Sequence, residues 1–437
     1  MELNGTQLEK LQEALCSAFP TEIELRRMVR TRLNESLPVI AGNGPLSTVV
    51  FELIEWAMAY GRLEDLINAA LTTNPGNKKL RAFAISIGFA VPELDANSNL
   101  SPVPSRREPS SDVYLLGEEI GHLEITSRVL TGHRGDISRV AVTPDGRFVL
   151  SASDDAELWQ WDLASGREVW IYREHRSDVN PSAVKAVAVT PDGQRIVAGL
   201  DDGTLKVWKI KSNDPPLRFT GHTGTVMTVA VTRDGRHTLT GAVDGTLRLW
   251  DIATGAQLKT FQPHSDRPRM WQVFDVAVTP DGRSAISGGA DSKVRLWDLN
   301  TGQETRLLID HGRGQWVWAV AVTPDGRSVL SGSFDSTLQL HDIATSHEIR
   351  RYLGHTKWVK CVTISPNGLY ILSGSEDGTL RLWDLQTGRE LRCLTGHQGM
   401  VKSVAVTPDG ETVVTGGQDG TVRLWRFPPG ILGPANK

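Results

Sequence analysis

Cysteine is scarce and scattered: this chain of 437 residues has three, Cys16, Cys361 and Cys393. An odd number at such distances builds neither a disulfide framework nor a zinc-ligand spacing, so a reducing cytoplasm and no metal are expected. No run of about 18 apolar residues occurs, and the opening MELNGTQLEKLQ has an acid at position 2 and no apolar stretch. Neither membrane insertion nor secretion is expected. Excess charge is missing too. A net charge of −4 gives no long-range attraction for nucleic acid or an anionic membrane, and neither is an expected partner. There is no glycine-rich phosphate loop, no metal-ligand spacing and no unique catalytic triad, so the chain reads as a non-enzyme without cofactors.

What is abundant is self-similarity. Val-Thr-Pro-Asp-Gly begins at 142, 189, 278, 322 and 406, with the variants Val231-Thr-Arg-Asp-Gly235 and Ile364-Ser-Pro-Asn-Gly368. These seven starts lie 42 to 47 residues apart, close to the roughly 40 to 45 residues that four short strands need. Within a unit, an alternating apolar run such as Val401 to Val406 predicts an inner strand, and Pro-Asp-Gly predicts the turn that reverses it. The seventh unit stops after its third strand, while an orphan segment, Leu123 to Leu130, precedes the first unit. That segment is expected to complete the last blade, which removes exposed sheet edges. Residues 123–427 are therefore predicted to form an all-β seven-bladed propeller, with 428–437 as a tail.

The clearest units also carry Gly-His before the inner strand and Trp-Asp at the end of the third, as at Gly354-His355 and Trp383-Asp384. Here the sequence resembles the WD-repeat β-propeller family over about 300 residues, although Trp-Asp is complete in only four units, at Trp161, Trp250, Trp297 and Trp383. Five units repeat a His, a hydroxyl, an Asp and a Trp. The sets are His133, Ser151, Asp155, Trp161; His222, Thr240, Asp244, Trp250; His264, Ser287, Asp291, Trp297; His355, Ser373, Asp377, Trp383; and His397, Thr415, Asp419, Trp425. Ser, His and Asp invite a hydrolase reading, but an active site has no need of five copies at one spacing. The resemblance implies a buried structural tetrad in each blade. Two units depart from it: Ala198 replaces the hydroxyl between His175 and Asp202, and His341 stands in for Trp beside His311, Ser331 and Asp335. These two blades are expected to be locally weaker.

Departures from the repeat point to a working surface. Extra residues between His and the inner strand fall in units 2, 4 and 5, within 176–183, 265–272 and 312–316. The family resemblance places such loops on one face. Aromatic residues gather there in consecutive units: Trp271, Phe274, Trp316, Trp318, Phe334 and Trp358, interspersed with Arg267, Arg269, Arg313, Lys357 and Lys360. Units 1, 2 and 7 carry Ser138, Lys185 and Lys402 where units 4 and 5 have Phe274 and Trp318, and Lys360 and Lys402 join the aromatic residues as candidate protein-binding residues. An exposed aromatic cluster flanked by cations has the composition of a protein-binding hot spot, with packing between blades as the alternative for single rings.

Residues 1–90 change period from two to about 3.6 and carry none of the repeat. Thr6-Gln-Leu-Glu9 and Thr21-Glu-Ile-Glu24 are capping-box patterns, and further helical stretches are predicted near 47–60, 62–72 and 77–87, giving an α-helical bundle of five or six helices. Leu8 to Phe19, Val49 to Trp56, Gly61-Arg-Leu63, Asn74-Pro-Gly-Asn77 and Leu80-Arg-Ala-Phe83 resemble the type 1 effector-associated domain of bacteria. That resemblance implies a death-like adaptor that pairs homotypically with effectors carrying a like domain, a route to oligomers as well. Arg26, Arg27 and Arg30 against Glu52 and Glu55 are the candidate pairing residues. Residues 91–122, rich in Ser, Pro and Asn, read as a flexible linker. Two functions fit: an adaptor or sensor in a bacterial defence or signalling system, or a constitutive assembly scaffold.

Overall fold

The computed structural model describes residues 5–19, 25, 50, 53–54, 57–58, 63–73, 77–87, 125–173, 182–262 and 272–433. The chain divides into two compact units, residues 1–106 and 107–437. In the first, three helices are described in full: α1 (Gly5–Ala18), α2 (Leu63–Thr73) and α3 (Lys78–Ser86). Asn77 caps α3 by accepting a hydrogen bond from the Leu80 N–H at 3.0 Å, which satisfies one of the amides left open at a helix start. The apolar stripes at helical spacing meet in one core, with Leu11, Leu15, Leu53, Leu66, Ile67 and Leu80 fully buried. Helix α1 includes Gly5, so Thr6 sits inside its first turn, not ahead of it. The expected helix count of the bundle lies outside the described residues.

The second unit is a ring of seven four-stranded antiparallel sheets. Blade 1 runs from Ile137–Val142 to Glu168–Tyr172, and blade 6 from Val359–Ile364 to Glu390–Leu394. Blade 7 takes three strands from the end of the chain and its outermost, Thr126–Leu130, from the beginning. Thr126 faces Arg426 and Leu130 faces Val422, so the orphan segment closes the ring as expected. Each inner strand packs against the inner strands of two neighbours, and each apolar cluster is shared between adjacent blades. Gly241, on the second strand of blade 3, shows how close that approach is: a Cβ there would meet Val273 Cγ1 of blade 4 at 2.6 Å.

The repeated pentapeptide builds one turn seven times. In the first copy Thr143 Oγ1 accepts from the Phe148 N–H at 3.0 Å, Asp145 Oδ1 accepts from the Arg147 N–H at 3.0 Å, and Gly146 takes a φ of 68°. Blade 6 has Ser365 and Asn367 in these places, and the reason lies at the chain's end. Asn367 Nδ2 donates to the Ile431 carbonyl at 2.8 Å, a bond that an ionised Asp could not make. The segment after the last strand is thereby held down, with Leu432 fully buried beside Tyr370 and Trp425.

Candidate protein-binding face

The inner strands share a defect that positions the site. In all seven blades the pairing register slips between the first and third residues, leaving the second as the extra residue of a β-bulge. A bulge breaks the alternation of the strand and re-aims a side chain. The residues so placed are Ser138, Lys185, Met227, Phe274, Trp318, Lys360 and Lys402, one per blade at the same end of the ring. These are the positions at which the sequence changes from charged to aromatic.

The bulge residues make contacts within their own blade and to adjacent blades. On blades 7, 1 and 2 they are ionic: Lys402 Nζ lies 2.6 Å from Asp136 Oδ2, Lys185 Nζ lies 2.6 Å from Asp154 Oδ1, and the Ser138 hydroxyl donates to the same Asp154 oxygen at 2.7 Å. Burial alone would raise the Asp154 pKa, but the Lys185 and Ser138 hydrogen bonds outweigh it and hold the carboxyl below its usual range. On blades 4, 5 and 6 the contacts are aromatic. Phe274 stacks on Trp318 with centroids 4.1 Å apart, Phe334 stacks on Trp358 at 4.1 Å, and Trp316 joins the pairs at 5.9 Å from Trp318 and 5.8 Å from Phe334. Lys360 Nζ sits over the Trp318 ring, 2.9 Å from its centroid, and 5.9 Å from that of Trp358. Burial, with the Lys402 charge behind it, brings the Lys360 pKa down to about 7.

Five of the six predicted aromatic residues are thus brought together; Trp271 lies outside the described residues. Their exposure is less than expected. Phe274 is buried, and Trp316, Trp318, Phe334 and Trp358 are half-buried, because each ring covers part of its neighbour. Arg26, Arg27, Arg30, Glu52 and Glu55 of the helical unit also lie outside the described residues.

Beneath the bulge residues, two charges missed at the sequence level meet across the axis. Arg139 Nη2 of blade 1 reaches Asp275 Oδ1 of blade 4 at 2.5 Å. Asp275 also accepts from the Thr228 hydroxyl at 2.9 Å and the Val320 N–H at 3.0 Å, which ties four blades to one carboxylate. The signal was present: the third residue of the inner strand is small or uncharged at Ala186, Thr228, Ala319, Cys361 and Ser403.

Among the described residues, the four-residue network is complete in four blades. In blade 6 the Trp383 indole donates to Ser373 Oγ at 2.8 Å, His355 Nε2 lies 2.7 Å from that oxygen, and His355 Nδ1 lies 2.8 Å from Asp377. An indole N–H only donates, so the hydroxyl oxygen accepts from it, and the imidazole bridges that hydroxyl to Asp377. Blades 1, 3 and 7 repeat the arrangement. In blade 4, Trp297 bonds Ser287 while Asp291 pairs with Arg295 at 2.7 Å; His264 lies outside the described residues. Ser151, Thr240, Ser373 and Thr415 are fully buried, out of reach of any substrate. Blade 5 is better satisfied than expected. Gln339 contacts both His311 Nδ1 at 3.0 Å and His341 Nε2 at 3.3 Å, and His341 Nδ1 reaches the Ser346 carbonyl at 3.1 Å. In blade 2, Asp202 is held by Thr204 and Arg218.

Seven consecutive segments, 125–162, 166–209, 213–251, 255–298, 302–342, 346–384 and 388–426, match the family model described as WD domain, G-beta repeat. The chain belongs to the WD-repeat family. Residues 1–88 match effector-associated domain 1. A 51-residue stretch is 39% identical to the 66 kDa stress protein of Physarum polycephalum, covering 11% of this chain and 8% of that protein. A stretch of 64 residues is 39% identical to small ribosomal subunit protein RACK1 of Glycine max, covering 15% of this chain and 20% of that one. Another, of 43 residues, is 49% identical to small ribosomal subunit protein RACK1y of Oryza sativa subsp. japonica, over 10% and 13% of the two chains. The chain therefore spans a fifth or less of the length of these curated relatives. Among the described residues, no group of three or more His, Cys, Asp or Glu side chains could hold a metal ion, and no helix is long and apolar enough to cross a membrane.

Proposed function

We propose that this WD-repeat protein is a non-enzymatic adaptor or sensor scaffold, working in the cytoplasm of a bacterial defence or signalling system. The propeller holds a protein ligand on the aromatic half of its bulged face, and the effector-associated domain recruits an effector carrying a like domain, with Arg26, Arg27, Arg30, Glu52 and Glu55 as pairing residues. The observation that carries the reading is the row of stacked rings running from Phe274 to Trp358 across three blades. Such a row offers rigid, half-buried apolar area with a cation beside it, the composition of an interface hot spot. The RACK1 relatives are named as proteins of the small ribosomal subunit, a macromolecular assembly.

Substitution of Trp316 and Trp358 by Ala in the full chain tests the face. Capture of its protein ligand should be lost while the melting temperature stays nearly unchanged; a fall of many degrees would mark the rings as core. Charge reversal at Arg27 and Arg30 should abolish association with a matching helical domain at moderate salt. Capture that persists without any stimulus, at constant stoichiometry, would favour a constitutive scaffold over a sensor.

A further inference from the structure

Three lysines stand at bulge positions, and they are not equivalent. Lys185 and Lys402 each have a carboxylate at 2.6 Å. For Lys360, no carboxylate lies within ion-pair distance among the described residues; its ammonium rests on the face of Trp318. Its charged and titratable surroundings are Lys402 from blade 7, Glu376 from the turn of its own blade, and the Cys361 thiol next to it on its own strand. Glu376 is engaged with Lys357 at 3.8 Å, and Lys402 is engaged with Asp136. A second donor beside Lys360 is also unsatisfied: the Trp318 indole N–H is buried without an acceptor. Buried donors left unpaired cost free energy, which a partner supplying an acceptor recovers.

We propose that the ligand of this face is an acidic peptide segment, in which one side-chain carboxylate pairs with Lys360 and an adjoining apolar or aromatic residue lies along Trp316, Phe334 and Trp358. This rests on the reading of the face as a protein-binding surface. A basic ligand is disfavoured, since the Trp318 face already carries a cation and Lys402 stands behind it. A polyanion is disfavoured as well, because Asp136, Asp154 and Glu376 occupy the same rim. What fits is a single negative charge delivered to a single site. Pairing strengthens the hold of Lys360 on its proton, so binding takes up a proton when the free protein has lost it. Affinity should be constant from about pH 7 down to about pH 4, where the peptide's own carboxyl takes up a proton, and decline above about pH 7.

The test uses random heptapeptides displayed on phage and selected on the full-length protein at pH 6.5. Peptides enriched in Asp or Glu next to an aromatic or apolar residue are expected. For the best of these, changing its acid to the matching amide should weaken binding roughly tenfold on the natural chain and on Lys360→Arg, but hardly at all on Lys360→Met. Calorimetry at pH 8 in buffers of different ionisation enthalpy should show proton uptake by the natural chain and none by Lys360→Met. Enriched peptides that need Trp316 and Trp358 but bind equally as amides would overturn the acidic ligand and leave the binding face standing. Selected peptides indifferent to Ala at both tryptophans would overturn both.

Discussion

The two halves of the bulged face use the same backbone device for opposite chemistry. On blades 7, 1 and 2 the bulge residues end in ammonium or hydroxyl groups, each closed off by a carboxylate of its own or an adjacent blade. On blades 4, 5 and 6 they carry rings that stack without using up their outer surfaces, and a lysine that finds no carboxylate among the described residues. The ionic half is satisfied by itself, whereas the aromatic half keeps half-buried apolar area and unmet donors. An internally satisfied surface gains little from a partner. The contrast is therefore between a half that stabilises the ring and a half left open to a ligand.

The Arg139–Asp275 pair joins the two halves, so breaking it has the largest expected effect. Asp275→Ala removes the carboxylate that faces Arg139, whose side chain is only 21% exposed, and the acceptor for Thr228 and Val320. Urea unfolding should show a loss of about 3 kcal/mol; a loss under about 1 kcal/mol would mean that the halves hold together without the axis.

Lys360→Met should act in the opposite direction. Burial depresses the lysine from its ordinary 10.5 to about 7, so between those pH values the unfolded chain holds a proton that the folded chain has released. Stability conferred by the folded state therefore falls as pH drops through that window and is constant below about 7. The variant should be more stable at pH 7 by on the order of 2 kcal/mol, after allowing for partial solvent access and the lost contact with Trp318, and the gain should vanish above pH 10.5. A gain that does not change with pH would show that the ammonium is fully solvated.

Trp316→Ala should cost less than about 1.5 kcal/mol, the scale of one aromatic pair, because the residue is only partly buried. Smallest of all, Lys185→Met should change stability by less than about 1 kcal/mol, and any effect should shrink in salt, since the Lys185 and Asp154 side chains are 25% and 32% exposed. A larger, salt-insensitive loss there would erase the distinction drawn between a self-satisfied half and an open one.

Much of this was legible in the chain. Seven turn signals in phase gave the blades, and the incomplete seventh unit gave the closing strand. Five tetrads at fixed spacing could be assigned to the fold because a repeated constellation is a structural one. The gathering of Phe274, Trp316, Trp318, Phe334 and Trp358 followed from units 4 to 6 being consecutive. The bulge was hidden, because Val-Lys-Ala-Val-Ala-Val reads as simple alternation and a register slip leaves no mark on composition. Gln339 was also hidden: its role depends on His311, which follows the last strand of blade 4, reaching it beside His341, its neighbour two residues on along the same strand.

The sequence by itself determined the periodic features: blade number, the Thr-Pro-Asp-Gly turn, the tetrad and the closing strand. Each is specified within one unit of the repeat and enforced seven times. Tertiary structure alone decided the contacts between units. Asn367 differs from the Asp of other turns because residues 64 positions later bring a carbonyl to it. Arg139 and Asp275, 136 residues apart, are charged because the ring closes and puts them face to face. Hydrogen bonding and the hydrophobic pattern act over a few residues and so can be read along the chain. A partner delivered by ring closure is set by geometry that no local pattern encodes.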